Sequence, residues 1–232
     1  MVNNKPADSA EDAFFDELAG RLTADPMIGV KLGGKAVHER VLRALRSERG
    51  VHVESLLTGL GALAGYACQA SVRAVAVARG LPETALLLTV EANGRRFFFG
   101  DALNAPLAES MQSVWAFGAW AVQEAGCTSL PDVNEIFAHV SRTIGSADFG
   151  KPRVPAGHAP QDSPLTFVVA LWARMLPMVK KFCPDPQRWP MLFGVAVFSA
   201  ITSAREELDP HLALTIVMEA AIPMSKIDLA AS

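Results

Sequence analysis

From Val53 to about Arg79 the chain is apolar on nearly every side of a helical wheel, so a helix formed there has no face to give to water. This predicts a central buried helix over about residues 53–79, with Glu54 in the first turn, where a carboxylate suits the helix dipole, and Gly80 as its stop. Gly59, Gly61 and Gly65, with Ala62 and Ala64 among them, strip side-chain bulk from this run. A glycine in a helix interior costs about 1 kcal/mol relative to alanine, so a close neighbour must offset it. Gly61 and Gly65 are the expected contact, whether with another helix, a second subunit or a ligand.

The same run raises the question of a membrane. No charge stands between Glu54 and Arg73, but the glycines, Ser55, Thr58, Gln69 and Ser71 make the segment too polar to insert. Trp189 to Ala204 is more apolar, yet it is short for a span and is closed by Arg188 and Arg205. Both are expected to be core helices, with no membrane partner. The opening MVNNKPADSAEDAFF is polar and acidic where a secretory signal is basic and then apolar, and this predicts a cytoplasmic protein. Cys68, Cys127 and Cys183 are odd in number and contain no Cys-x-x-Cys pair, which fits reduced thiols and gives no support to a zinc site. With 50% hydrophobic and only 19% charged residues, the chain is greasy enough to predict a homo-oligomer that hides some of its surface. A net charge of −3 supplies no general attraction for a polyanion, so nucleic acid is not an expected partner.

Elsewhere the helical period dominates. Ser9 to Asp12 resembles a capping box before Phe14, Phe15, Leu18 and Leu22, predicting a helix that ends at Asp25-Pro26. A second helix is expected after Gly33-Gly34, with Val37, Val41, Leu42 and Leu45 inside, a basic outer face from Lys35 to Arg49 and a stop at Gly50. Further helices are expected from Asn104-Pro106 through Met111, Trp115 and Trp120 to Gly126, and from Asp132 to Gly145. The last three run from Leu165 to Lys181 with Pro177 near its end, from Trp189 to Glu207, and from Pro210 to Ala221.

Asn93-Gly94 breaks this pattern. Both central positions of a type I′ turn need positive φ, and the pair is flanked by Leu86–Val90 and Phe97–Phe99, so a hairpin is expected over about residues 84–101. The register follows from the turn: Ala92 opposite Arg95, Glu91 opposite Arg96, Val90 opposite Phe97, Thr89 opposite Phe98 and Leu88 opposite Phe99. One face should carry Leu86, Leu88, Val90, Phe97 and Phe99 into the core, leaving a wetter face with Thr89, Phe98 and a Glu91–Arg96 ion pair. The glycine is misplaced for an RNA-recognition strand, so Arg95 and Arg96 beside three phenylalanines read as a soluble edge.

Motifs with chemistry are sparse. His52-x-Glu54 resembles half of a zinc-deaminase signature, but no Pro-Cys-x-x-Cys follows it. His38, His52, His139, His158 and His211 are read as lacking the i,i+4 carboxylate pairing that builds a metal face, so no metal is expected. No Gly-x-Ser-x-Gly elbow occurs, and Gly29 to Lys35 lacks the spacing of a phosphate loop. The stretch Gly145 to Pro164 is without period and rich in glycine and proline; it carries Asp148, Lys151, Arg153, His158 and Asp162, and a lid, linker or partner arm is expected there.

The chain thus reads as a mainly α, multi-helix globular bundle around a central buried helix with one β-hairpin. It is taken as a single domain over 1–232, with loop 145–164 as the candidate boundary between 1–145 and 165–232. The expected role is a self-associating binding or interaction protein, with Gly61, Gly65 and Phe98 as interface candidates. The alternative is an enzyme or sensor for a small apolar ligand, in which His52, Glu54, His139, His158 and Asp162 converge on an apolar pocket closed by loop 145–164, next to the helices of Trp115, Trp120, Trp172 and Trp189. No cofactor and no catalytic residue is assigned.

Overall fold

The computed structural model describes residues 15, 17–18, 20–22 and 24–229, so the Ser9–Asp12 cap and Phe14 lie outside the described residues. In chain order the elements are α1 (Pro26–Ala44), α2 (Val53–Ala78), β1 (Leu88–Ala92), β2 (Arg95–Phe99), α3 (Asp101–Asn104), α4 (Val114–Glu124), α5 (Val133–Thr143), α6 (Pro164–Phe182), α7 (Trp189–Ala204) and α8 (Pro210–Lys226). Most helices begin on a side-chain cap. Asp25, Ser163 and Asp209 each precede a proline at the first helical position and accept from the N–H of Met27, Thr166 and Leu212. Ser113 and Asp132 cap α4 and α5 in the same way.

The predicted central helix is present as α2, with Leu57, Leu60, Leu63, Ala64, Ala67 and Cys68 fully buried. Its closest partner is α8. Gly61 and Gly65 lie against the backbone of Val217 and Ala221, so the approach their sequence anticipates is made by a helix of the same chain. Around this pair stand α4, α6 and α7, which bury Phe167, Leu171, Met175, Leu192, Phe193 and Val197.

Four element boundaries differ from expectation. The described residues before Asp25 are helical and that helix ends at Asp25-Pro26 as expected, but Pro26 already starts α1, and Gly33-Gly34 lies inside it, because those glycines sit against Leu192 and Val195 of α7 where a side chain would collide. Asn104 to Gly126 is not one helix: α3 passes into a π-helical turn at Ala105–Glu109, the chain breaks, and α4 starts afresh on Ser113. Met111 falls in that break and is 96% exposed. α7 stops at Ala204, earlier than expected, whereas α8 continues to Lys226 with Pro223 inside it.

The hairpin has the predicted register at every pair, with Asn93 at φ 50° and Gly94 at φ 72° in the turn. Its burial, however, divides by strand and not by face. Phe97 and Phe98 are both buried, while Leu88 is 67% and Val90 44% exposed. The reason lies at the far end of the chain: Ile227 bridges Phe97, and the Asp228 N–H donates to the Arg96 carbonyl, so β2 is an inner strand and β1 the outer one. Phe98 belongs to the core, held between the guanidinium groups of Arg73 and Arg96 at 5.6 and 5.8 Å from its centroid. Arg96 binds the buried carboxylate of Asp228 instead of forming the expected pair with Glu91. Gln69 completes this junction by donating to the carbonyls of Ser225 (3.0 Å) and Ile227 (2.8 Å) and accepting from Arg73 (3.2 Å).

Candidate functional site

Loop 145–164 is a strap, pinned along its length. Asn93 at the hairpin tip donates to the Gly145 carbonyl at 2.6 Å, and Phe149 packs edge-on against Phe97. Arg153 is held by acids on two helices, and His158 and Gln161 reach the start of α2. It therefore ties the hairpin, α5, α8 and α2 together.

His52, Glu54 and His158 are brought together at the amino end of α2. His158 Nδ1 lies 2.8 Å from Glu54 Oε1, and His52 Nε2 lies 3.5 Å from Glu54 Oε2. His52 is also the helix cap, its Nδ1 accepting from the Ser55 N–H and lying 3.0 Å from Ser55 Oγ. Burial would raise the Glu54 pKa, but the hydrogen bond from His158, its own backbone N–H in the first turn and the charges of both histidines bring it below the ordinary value. The Ser55–His52–Glu54 connectivity is that of a nucleophile with its base and orienting acid. Here it serves as a joint. Ser55 is 3% exposed, and its hydroxyl accepts from the Gln161 N–H at 2.9 Å, which leaves it no approach to a substrate.

The other two candidates stand apart from this cluster. Asp162 is exposed and has no polar partner among the described residues. His139 is half-buried on α5 and does have a carboxylate one turn earlier, Glu135, contrary to the reading that no histidine is paired so. That carboxylate is already taken by Arg153. No group of three or more His, Cys, Asp or Glu side chains able to hold a metal ion occurs among the described residues.

Arg153 is the strongest node of the strap, and nothing in its sequence neighbourhood singled it out. Its guanidinium makes a bidentate pair with Glu135, both bonds 2.7 Å, and reaches Glu219 on α8 at 2.9 Å, while its backbone N–H donates to Glu219 Oε2 at 3.3 Å. Glu219 is 3% exposed. The Arg153 hydrogen bonds also hold Glu135 below the usual carboxylate range. Pro131, Asp132, Glu135, Ile136, Arg153, His211, Thr215 and Glu219 line a cleft of about 370 Å³, in which the Arg153 ion pairs sit beside apolar side chains.

The aromatic site lies elsewhere, in a groove of about 430 Å³ between the carboxyl half of α2 and α6. Tyr66, Trp172 and Trp189 form its walls, and Arg73, Glu83 and Lys180 its rim. The Tyr66 and Trp172 rings meet edge-on at 5.0 Å, and Trp172 stacks on Phe193 at 5.9 Å. Burial pushes the Tyr66 phenol above its ordinary pKa. No residue of loop 145–164 lines this groove, and Trp120 lies on α4 against Phe198.

Lys226, the last residue of α8, is 2% exposed and has no carboxylate partner among the described residues. Its ammonium lies over Phe99 (4.5 Å) and Phe137 (5.6 Å). Burial lowers its pKa from 10.5 to about 8. The unfolded chain therefore binds more protons than the native one between these values, so stability rises with pH from about 8 to 10.5, and below about 8 the whole penalty is present. Lys226→Met is expected to stabilise the protein at pH 7 by about 1 to 3 kcal/mol, the lost cation–π contacts offsetting part of the gain, and to flatten that rise. Urea unfolding of both proteins across pH 7 to about 10.5 checks this; an equally steep rise in the variant would contradict it.

No family model, curated protein or solved structure matches this chain.

Proposed function

We propose that the protein acts by binding, and that it self-associates through the outer edge of β1. The observation that carries this reading is the asymmetry of the hairpin: the far side of β2 is closed by Ile227 and Asp228, whereas β1 leaves its edge and two large apolar side chains, Leu88 and Val90, in water. In a hairpin closed by a two-residue turn, Ala92, Val90 and Leu88 bond inward, so the N–H and C=O groups of Thr89 and Glu91 point outward. A second copy laid antiparallel about Val90 brings Thr89 of one chain against Glu91 of the other, with the valines facing each other. The three thiols, all free, support a cytoplasmic setting for such an assembly.

Sedimentation velocity over a wide concentration range tests it. Wild type is expected to run as a dimer. Thr89→Pro removes an outward donor and leaves the inward ladder intact, so it is expected to weaken the dimer about tenfold or more. Val169→Lys changes an equally exposed apolar residue on α6 and is expected to leave the dimer unchanged. A wild type that stays monomeric at the highest concentration, or a dimer sensitive to Val169→Lys and not to Thr89→Pro, would remove the proposal.

A further inference from the structure

We infer that the groove between α2 and α6 is a binding site for a small aromatic carboxylate. Its walls favour a flat apolar body: Trp172 contacts Tyr66, Trp189 and Phe193 through ring edges and faces, a prepacked surface that has little side-chain freedom to lose on binding. The volume of about 430 Å³ falls within the range of small-molecule sites.

The polar groups around it select the charge. The Tyr66 hydroxyl, the Trp172 indole N–H and the Lys180 ammonium have no hydrogen-bond or ion-pair partner among the described residues, although all three residues line the groove. Each can donate, and the indole and the ammonium can do nothing else. The one carboxylate on the rim, Glu83, already receives Arg73 Nε at 2.7 Å, and the Trp189 indole N–H is committed to the Cys183 carbonyl at 2.9 Å. An aromatic cage can also hold an ammonium ion, but that needs a nearby uncommitted acid, and here Glu83 and Arg73 neutralise each other, which leaves Lys180 as the net charge of the rim. Donors in excess beside stacked rings call for an anion on an aromatic body. Lys180, in the last turn of α6, stands where its ammonium can meet the carboxylate at the mouth while the rings hold the rest.

Three naphthalene probes of one shape separate the alternatives: 2-naphthoate, 2-naphthylmethanol and 2-naphthylmethylammonium, titrated calorimetrically with the indole N–H resonances of Trp172 and Trp189 as the local readout. Naphthoate is expected to bind about tenfold more tightly than the alcohol, the ammonium most weakly, with both indole signals shifting. Lys180→Glu, at an exposed position, is expected to weaken naphthoate about tenfold or more and to leave the alcohol within about twofold. Matched melting temperatures verify that the variant folds. The proposal fails if the ammonium binds as well as the carboxylate, if Lys180→Glu leaves naphthoate affinity unchanged, or if the indole signals do not move on saturation. Naphthoate binding that disappears as the protein is concentrated would give the groove to a second copy and equally overturn it.

Discussion

Gly65→Leu is expected to yield no folded protein, and Gly65→Ala to cost about 3 kcal/mol or more, while Gly59→Ala, two turns earlier on the same helix, is expected to stabilise by about 0.5 to 1 kcal/mol. A Cβ at Gly65 would overlap the carbonyl of Ala221, with the Ala221 Cα at 2.8 Å. At Gly61 it would meet the Val217 carbonyl in the same way. Those neighbours are backbone in the middle of α8, so they can yield only if the two helices move apart and the core between them opens. At Gly59 the nearest atoms belong to the Phe167 ring at 3.5 Å, an ordinary contact, and alanine there gains helix propensity without a clash. Urea unfolding of the two alanine variants measures the contrast. Equal effects of the same sign at the two positions would show that α2 and α8 do not meet as described.

Arg153→Met is expected to cost about 3 kcal/mol and to make loop 145–164 the first site of limited proteolysis. The variant leaves the Glu219 carboxylate buried with one long backbone hydrogen bond in place of a guanidinium. Removing one partner of a buried pair strands the other charge, whereas removing both with apolar groups of similar size does not. Arg153→Met with Glu219→Met is therefore expected to recover most of the loss in stability. Glu135→Gln, on the exposed side of the same guanidinium, is expected to have little effect. If the double variant were no more stable than the single one, the penalty would lie in the lost strap and not in the stranded carboxylate.

Both predictions concern residues whose importance was unevenly legible. The close approach at Gly61 and Gly65 was readable, because glycine in a helix interior is costly enough to require a reason. That Gly59 does not share in it was unreadable, since the helical wheel places residues by angle and does not say where a neighbour crosses. Gly33-Gly34 was misread as a break for the same cause: a glycine pair looks identical in sequence whether it ends a helix or admits one. Asp25-Pro26 ends the helix before it, as its sequence indicates, and also caps the start of α1. Arg153 had no local signal. Its acids stand 18 residues before it and 66 after it, and a loop arginine otherwise resembles any solvated charge.

The joint at the start of α2 was half legible. His52 and Glu54 are neighbours in the chain, whereas His158 reaches them from 104 residues away from Glu54. Pairing the loop histidine with that acid anticipated proximity; its chemistry as a fastening followed only from the burial of Ser55 and the hydrogen bond from Gln161.

Sequence alone determined that the chain is mainly helical, the burial of α2 and the full register of the hairpin, because period, cap and turn are interactions among residues a few positions apart. Tertiary structure decided which strand became the inner one and which arginine each acid received. Those outcomes depend on Ile227 and Asp228 arriving beside β2 from the other end of the chain. Alternation along a strand says that two faces differ, but only the neighbour that docks says which edge is left in water.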